Sequence, residues 1–125
     1  MAAGSCYDFA MNDDTLFDKI IRKEIPASIV FEDEEVLAIR DINPQAPVHV
    51  LVLPKKKVSG FDQLDDMSAV EAGDFFQAVA KVAERLGLDE QGYRVVFNVG
   101  KNGQQTVAYL HAHLLGGRQM GWPPG

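Results

Sequence analysis

Two of the chain's three histidines stand two residues apart, in the run Tyr109-Leu110-His111-Ala112-His113. A neutral imidazole is nucleophilic at one ring nitrogen and can donate a proton from the other, so this pair could attack a phosphorus centre without a metal. Alternate residues of the run are apolar, which predicts a strand with Tyr109, His111 and His113 on one face. Taken alone, the pattern is equally typical of hydrogen-bonded core histidines.

A polar loop and a further histidine accompany this pair in the chain. In the loop over residues 100–106, Gly103 permits close backbone approach, and Gln105 and Thr106 can donate hydrogen bonds to a phosphate. An ordinary turn has the same composition. His49 lies in an apolar run between two prolines, which mark the ends of a strand. By residue type alone, His49 is more typical of a buried, satisfied histidine than of a catalytic one.

The elements that must position these residues are short strands and two helices. Thr15 and Asp18 form a capping pair that begins a helix of about ten residues, which ends before Pro26. Apolar residues at helical spacing predict a longer helix over residues 68–86, which stops at Gly87. Strand composition marks residues 28–31, 36–40, 48–53, 93–99 and 107–115. This order predicts an α+β fold, an antiparallel five-stranded sheet with its short and long helices segregated to one side.

Length and charge limit the organisation of the chain and its partners. The 125 residues allow one core, so we expect a single domain over residues 14–125 behind a flexible tail of residues 1–13. The net charge of −6 argues against general nucleic-acid binding, and no apolar run is long enough to span a membrane. The start lacks a signal or transit pattern, and Cys6 is the only cysteine, so we expect a cytoplasmic location and allow a nuclear one. The basic run 55–57 is interpreted as a solvated turn.

Blocks of sequence in a fixed order extend the pattern around the histidine pair. They read LFDKII at residues 16–21, DINPQAPVH at 41–49, GQQTV at 103–107 and GGRQMGWPPG at 116–125. From Asp14 to Gly125 the chain therefore resembles the histidine triad nucleotide-binding proteins, the purine nucleoside phosphoramidase branch of the histidine triad (HIT) superfamily. Two positions depart from the family pattern. Tyr109 replaces the first histidine of the His-x-His-x-His motif, and Gly121 stands where relatives often have a histidine.

The resemblance implies a chemistry for the histidines and an assembly for the chain. His111 would attack the α-phosphate of a nucleoside 5′-phosphoramidate and form a covalent nucleotidyl-histidine, which water then hydrolyses. His113 would bind the phosphate oxygens, and His49 would orient the network. The family fold joins the sheets of two subunits, so a homodimer is expected. No cofactor or metal is implied.

The resemblance also implies the residues that hold the purine nucleotide. Asp41 would bind the ribose hydroxyls, a sensible role for a carboxylate because it accepts two hydrogen bonds. Ile20 and Ile42 would seat the base. The phosphate end would be contacted by Asn98, Gly103, Gln105, Thr106, Val107 and His113.

Three alternative functions stay open at this point. Since Tyr109 cannot carry a proton near pH 7, the chain could be a nucleotide-binding or scaffolding protein with little turnover. A dinucleoside polyphosphate hydrolase is a neighbouring enzyme class. His49, His111 and His113 could also form a three-ligand zinc site, although no cysteine assists.

Overall fold

The computed structural model describes residues 14–125, and the predicted tail with Cys6 lies outside the described residues. Two α-helices, one short 3₁₀-helix and five strands follow one another along the chain. Their order is α1 (Leu16–Ile21), β1 (Ile29–Glu32), β2 (Val36–Arg40), β3 (Val48–Pro54), the 3₁₀-helix (Phe61–Asp66), α2 (Ala69–Arg85), β4 (Tyr93–Val96) and β5 (Ala112–Gly116). The predicted α+β class with one short and one long helix is confirmed.

The five strands form one sheet in the order β1-β2-β3-β5-β4, and every neighbouring pair is antiparallel. The strand β5 therefore lies inside the sheet, between β3 and β4. In the register of β3 and β5, Leu51 faces His113 and His49 faces Leu115. This register brings two histidines that are 64 positions apart in sequence onto the same face of the sheet.

The two helices cover opposite faces of the sheet. Along β2, Val36 and Ala38 pack in the cluster beneath α2, whereas Leu37 and Ile39 pack with Phe17 of α1. Since successive strand residues alternate faces, these two clusters lie on the two sides of the sheet. The prediction that the helices are segregated to one side was therefore wrong. The histidines share the α1 side, because His113 alternates with Ala112 and Leu114 of the other cluster.

Several predicted boundaries change in the structure. Both helices begin as predicted, each with a complete capping box in which Thr15 and Ser68 are the N-caps. The helix α1 has six residues rather than about ten, and Lys23 beyond it adopts a positive φ that a continuing helix does not allow. The outer parts of the last two predicted strands, residues 97–99 and 107–111, are not strand. Within residues 14–125, no helix is long and apolar enough to cross a membrane.

Candidate active site

His111 lies one residue before β5 and is buried. Its Nδ1 atom is 2.6 Å from the main-chain oxygen of Tyr109, and a carbonyl oxygen can only accept a hydrogen bond. Nδ1 therefore carries the ring proton, which leaves the lone pair on Nε2. The edge of the Phe17 ring packs against His111 with ring centroids 4.9 Å apart. The side chain is thus held in the tautomer that makes Nε2 the nucleophilic atom.

His49 and His113 form a hydrogen-bonded pair next to His111. The main-chain amide of Gln45 donates to His49 Nδ1 at 3.0 Å, so the proton of a neutral His49 sits on Nε2. His49 Nε2 is 2.9 Å from His113 Nδ1 and donates a hydrogen bond to it. The proton of a neutral His113 therefore sits on its Nε2. Among the buried side-chain nitrogens and oxygens of residues 14–125, His113 Nε2 is the one with no hydrogen-bond partner. Such an orphaned donor is costly unless a ligand accepts from it.

All three imidazoles are kept neutral at pH 7 by their surroundings. Burial lowers the pKa of His113 to about 4, and the neighbouring His111 and His49 add to this shift. Burial also lowers the pKa of His111, against the opposing effect of the hydrogen bond to Tyr109. For His49, burial lowers the pKa and the nearby Asp41 opposes it. A neutral cluster offers one nucleophilic nitrogen and one N–H donor side by side, since the rings of His111 and His113 are 4.9 Å apart.

An apolar cleft of about 470 Å³ opens beside the histidines. Its size is within the range of small-molecule sites. Five residues predicted to bind the nucleotide line it, namely Ile20, Asp41, Ile42, Thr106 and Val107. The structure therefore brings together residues from the start, middle and end of the chain. Ile42 is 99% exposed, so it stands at the rim of the cleft and not in its floor.

Two side chains connect the cleft with the histidine cluster. Asp41 lines the cleft, and its Oδ2 atom is 3.4 Å from His49 Nε2. Phe17 also lines the cleft and packs against His111. A ligand with its apolar part in the cleft would therefore place its next groups beside Asp41 and then beside His111. Phe17 is a further candidate site residue that its sequence position did not predict, although it lies in the block at residues 16–21.

Asn98, Gly103 and Gln105 lie between β4 and β5 and do not line the cleft. The side-chain amide of Gln105 donates to the main-chain oxygens of Ser59 at 2.8 Å and Val107 at 3.1 Å, so it is occupied inside the protein. At Gly103, a Cβ atom would lie 2.4 Å from the main-chain oxygen of Val99. The close approach predicted for Gly103 is therefore an approach to the main chain of Val99. Asn98 is half-buried and lies two residues beyond the end of β4.

The HIT domain is the family whose sequence profile matches this chain, over residues 22–120. The chain belongs to the HIT family. The match covers β1 to β5 and all three histidines.

Relatives of this HIT domain carry three kinds of description. The chain is 53% identical to a "14 kDa zinc-binding protein" of Zea mays, over 89% of this chain and 88% of the relative. It is 49% identical to "Adenylylsulfatase HINT1" of Arabidopsis thaliana, over 89% of this chain and 76% of the relative. The solved structure of a HIT family hydrolase from Legionella pneumophila aligns with a TM-score of 0.83 at 50% identity, over 88% of this chain and 98% of that one. The expected HIT superfamily membership is confirmed, and hydrolases are among its relatives.

Tyr109, which replaces the first histidine of the triad motif, is a core residue. Its side chain is 1% exposed and packs in the cluster with Phe17, Leu37 and Leu53. The hydroxyl donates to the main-chain oxygen of Pro54, and burial raises the pKa of this phenol above its usual value. The hydrogen bond between the two residues comes from the main-chain oxygen of Tyr109. The ring of this residue therefore supports the core beneath the site and leaves His111 oriented as described.

Asp41, His49 and His113 are the one trio within residues 14–125 whose ligand atoms lie close enough to hold a metal ion, all within 4.8 Å. Two imidazoles and a carboxylate are suitable zinc ligands by chemistry. However, His49 Nε2 and His113 Nδ1 face each other across their mutual hydrogen bond, so neither lone pair is free. The resting network does not fit a zinc ion. The trio also differs from the predicted set, because Asp41 takes the place of His111.

Proposed function

We propose that this HIT domain hydrolyses purine nucleoside 5′-phosphoramidates through a covalent nucleotidyl-histidine on His111. The pair of ring nitrogens carries the proposal. The lone pair of His111 Nε2 stands beside the unsatisfied donor on His113 Nε2, in a buried and neutral cluster. A phosphoryl group needs both, a nucleophile for phosphorus and a donor for the oxygens that gain charge. Membership in the HIT family and similarity to a HIT family hydrolase support this reaction class.

The cleft supports a nucleoside as the other half of the substrate. Apolar residues such as Ile20 and Leu51 offer a surface for a purine base, and Asp41 stands between them and the histidines to accept from ribose hydroxyls. Of the nine residues predicted to bind the nucleotide, Ile20, Asp41, Ile42, Thr106 and Val107 line this cleft. We assign the base and ribose to these residues and the phosphate to His111 and His113.

The proposed reaction has two balanced steps. His111 Nε2 attacks the α-phosphorus, the bond from phosphorus to the amine nitrogen breaks, and the leaving amine takes up one proton from solvent. Water then attacks the same phosphorus, the bond to His111 breaks, and one proton returns to solvent. The sum is a single hydrolysis that yields a nucleoside monophosphate and an amine. His113 Nε2 donates to a phosphate oxygen in both steps and keeps its proton throughout.

The experiment measures hydrolysis of an adenosine 5′-phosphoramidate that carries a fluorescent amine. We expect turnover by the wild-type protein and a loss of about 10³-fold or more in His111→Ala, since the nucleophile itself is removed. A rapid quench followed by intact mass measurement should show an adenylyl adduct on the wild type only. Binding of AMP by calorimetry is the control for a folded cleft in the variant.

The same assay separates the competing functions. A wild-type protein that binds AMP without turnover would be a nucleotide-binding protein, and the proposal would fail. Faster hydrolysis of diadenosine polyphosphate than of the phosphoramidate would point to the neighbouring enzyme class. Adenosine 5′-phosphosulfate is a third substrate to include, because the Arabidopsis relative is named an adenylylsulfatase. Turnover that disappears on chelation and returns with zinc would contradict the metal-free mechanism.

The exposed edge of the sheet supports a homodimer. Within residues 14–125, β4 pairs with β5 alone, so its other edge is unpaired. Beside this edge lies an apolar groove of about 320 Å³, lined by Phe76, Val79, Ala80, Tyr93, Val95 and Phe97. An unpaired edge next to exposed apolar side chains is the usual arrangement of a surface that a partner covers. We propose that a second copy of the chain covers it, as expected from the family resemblance.

A further inference from the structure

A series of hydrogen bonds leads from an arginine outside the cleft to the unsatisfied atom of His113. Arg118 donates from Nε and Nη2 to the main-chain oxygen of Gln45, at 3.2 and 3.1 Å. The amide of Gln45 donates to His49 Nδ1 at 3.0 Å, and His49 Nε2 lies 2.9 Å from His113 Nδ1. Arg118 follows β5, whereas Gln45 lies in the loop between β2 and β3. The series thus ties two segments from opposite parts of the sequence to one imidazole pair.

The main-chain amide of Gln45 directs where the protons of both imidazoles sit, together with Asp41, whose Oδ2 atom lies 3.4 Å from His49 Nε2 and favours a proton on that nitrogen. An amide N–H can only donate, so His49 Nδ1 must accept and the proton of His49 must sit on Nε2. His113 Nδ1 then accepts, and its own proton sits on Nε2. If the Gln45 amide turned away, His49 could take its other tautomer, and His113 Nε2 could become a bare lone pair. A bare lone pair repels phosphate oxygens, whereas an N–H donates to them.

The loop that carries this amide needs an external support. Asn43, Pro44 and Gln45 are all exposed, so little packing holds them. Inside the loop, the main-chain amide of Asn43 donates to Asp41 Oδ1 at 2.8 Å, and the side-chain amide of Gln45 donates to the main-chain oxygen of Asn43 at 3.0 Å. Neither bond holds the main chain of Gln45. The two bonds from Arg118 anchor Gln45 itself. A planar guanidinium with two donors on one oxygen holds the carbonyl group of Gln45. This carbonyl and the amide that binds His49 belong to successive peptide groups, which are joined at the Cα atom of Gln45.

We propose that Arg118 is a positioning residue that, through the main chain of Gln45, fixes the tautomers of His49 and His113 and so presents an N–H to the phosphate. Arg118 itself stays outside the cleft and touches neither histidine. The same residue also donates to the main-chain oxygen of Gln119 at 3.2 Å, which fixes its side chain in turn. The effect on turnover rests on the proposed function, whereas the tautomer state does not.

The test reads the tautomers directly in long-range ¹H–¹⁵N NMR spectra of the histidine rings at pH 7, where protonated and bare ring nitrogens are well separated. In the wild type, His49 and His113 should both carry the proton on Nε2. Arg118→Ala should shift both rings towards mixed tautomers. Arg118→Lys, which keeps a cationic donor but not the planar fork, should keep part of the wild-type signal. Gln45→Pro removes the amide itself and should give the largest change.

Two matched variants control for general damage. Arg94 also donates to a main-chain oxygen, that of Gly121 at 2.8 Å, but does not contact the loop of Gln45. Arg94→Ala should therefore leave the ring nitrogens unchanged. Gln45→Ala keeps the main-chain amide and loses only the side-chain bond to the main-chain oxygen of Asn43, so it should keep the tautomers that Gln45→Pro loses. Circular dichroism checks that each variant is folded.

In the hydrolysis assay, Arg118→Ala should lower kcat about tenfold and leave KM nearly unchanged. This is a fraction of the roughly 10²- to 10³-fold cost of losing a transition-state donor altogether. Unchanged ring nitrogens in Arg118→Ala would overturn the proposal, and a change in Gln45→Pro alone would then show that the loop holds this amide without Arg118. Altered tautomers in a protein without hydrolase activity would support the positioning role and contradict only the proposed function.

Discussion

Tyr109 departs from the triad motif in its side chain but still contacts His111 through its main chain. The contact that orients His111 comes from the main-chain oxygen of residue 109, which every amino acid supplies. The phenol instead fills a buried position and donates to Pro54. The loss of a titrating group at this position therefore removes no contact to the nucleophile. A phenol does not exchange its proton near pH 7, but here the phenol lies in the core and binds Pro54.

Tyr109→Phe should separate stability from catalysis. The change leaves the main-chain oxygen of Pro54 buried without a donor, so we expect the free energy of unfolding to fall by about 1–3 kcal/mol. The value of kcat should stay within about threefold, because His111 keeps its hydrogen bond. Urea unfolding and the phosphoramidate assay measure the two quantities. A large loss of kcat at unchanged stability would show that the phenol takes part in the chemistry.

The lowered histidine pKa values predict how stability depends on pH. In the unfolded chain the histidines titrate near pH 6.5, whereas the pKa of the folded His113 is about 4. Between these values the unfolded state binds more protons, so the free energy of unfolding rises with pH in this window. Stability should be full above pH 6.5 and should fall as the pH drops towards 4. Urea midpoints at pH 7, 6, 5 and 4.5 test this, and His113→Asn should flatten the curve.

At the scale of elements, the loop before β5 is built by its own backbone. The segment turns back on itself so that Gly103 meets the main chain of Val99, and Gln105 binds the oxygen of Ser59. This loop delivers Thr106 and Val107 to the cleft and continues into His111. It therefore replaces the strand start that the alternating sequence predicted. The β5 strand itself begins only at Ala112.

Two glycine substitutions should have opposite effects. In Gly103→Ala the new Cβ atom would collide with the main chain of Val99, so we expect a loss of about 1–3 kcal/mol and weaker AMP binding. Gly73 lies in α2, and an added methyl group there would meet no atom within 4 Å, so Gly73→Ala should stabilise the protein by about 0.5–1 kcal/mol. Thermal unfolding and calorimetry with AMP measure both. If Gly103→Ala changed the stability no more than Gly73→Ala does, the loop around Gly103 would be able to move away from the added methyl group.

At the scale of the whole molecule, the surface combines paired charges with one apolar edge. The lysines of the run 55–57 each bind a carboxylate on another element, namely Glu32, Glu71 and Asp18. Because these lysines are paired with carboxylates, the run adds little positive charge to the surface of a chain whose net charge is −6. The apolar groove lies elsewhere, beside β4, where the rings of Phe76 and Phe97 stack. The molecule therefore offers a partner an apolar strip and an open strand edge.

Val95→Glu should disrupt the proposed homodimer. Val95 is exposed on β4 and lines the apolar groove, so a carboxylate there would be buried against its symmetry mate. We expect light scattering during size exclusion to report two chains for the wild type and one for the variant. Val70→Glu is the matched control, since Val70 is also exposed but does not line this groove. A dimeric Val95→Glu variant would place the interface elsewhere.

The helix starts, the fold class and the family could be predicted from the amino-acid sequence. Capping boxes are local, because Thr15 and Asp18 interact across three residues, and they are therefore visible in the sequence. The apolar periodicity of α2 is likewise a local property. The His111 and His113 pair and the blocks around it indicated the family, since their order and spacing are themselves sequence properties.

Only the tertiary structure decided what each polar atom bonds to. The tautomer of His113 depends on Gln45 and Arg118, which act through main-chain atoms that have no sequence signature. The position of α1 opposite α2, the burial of Tyr109 and the internal partners of Gln105 depend equally on which distant segments meet. Residue types fix which hydrogen bonds a side chain can make. The packing of the sheet, loops and helices selects among them, because each buried donor must find its acceptor in that one arrangement.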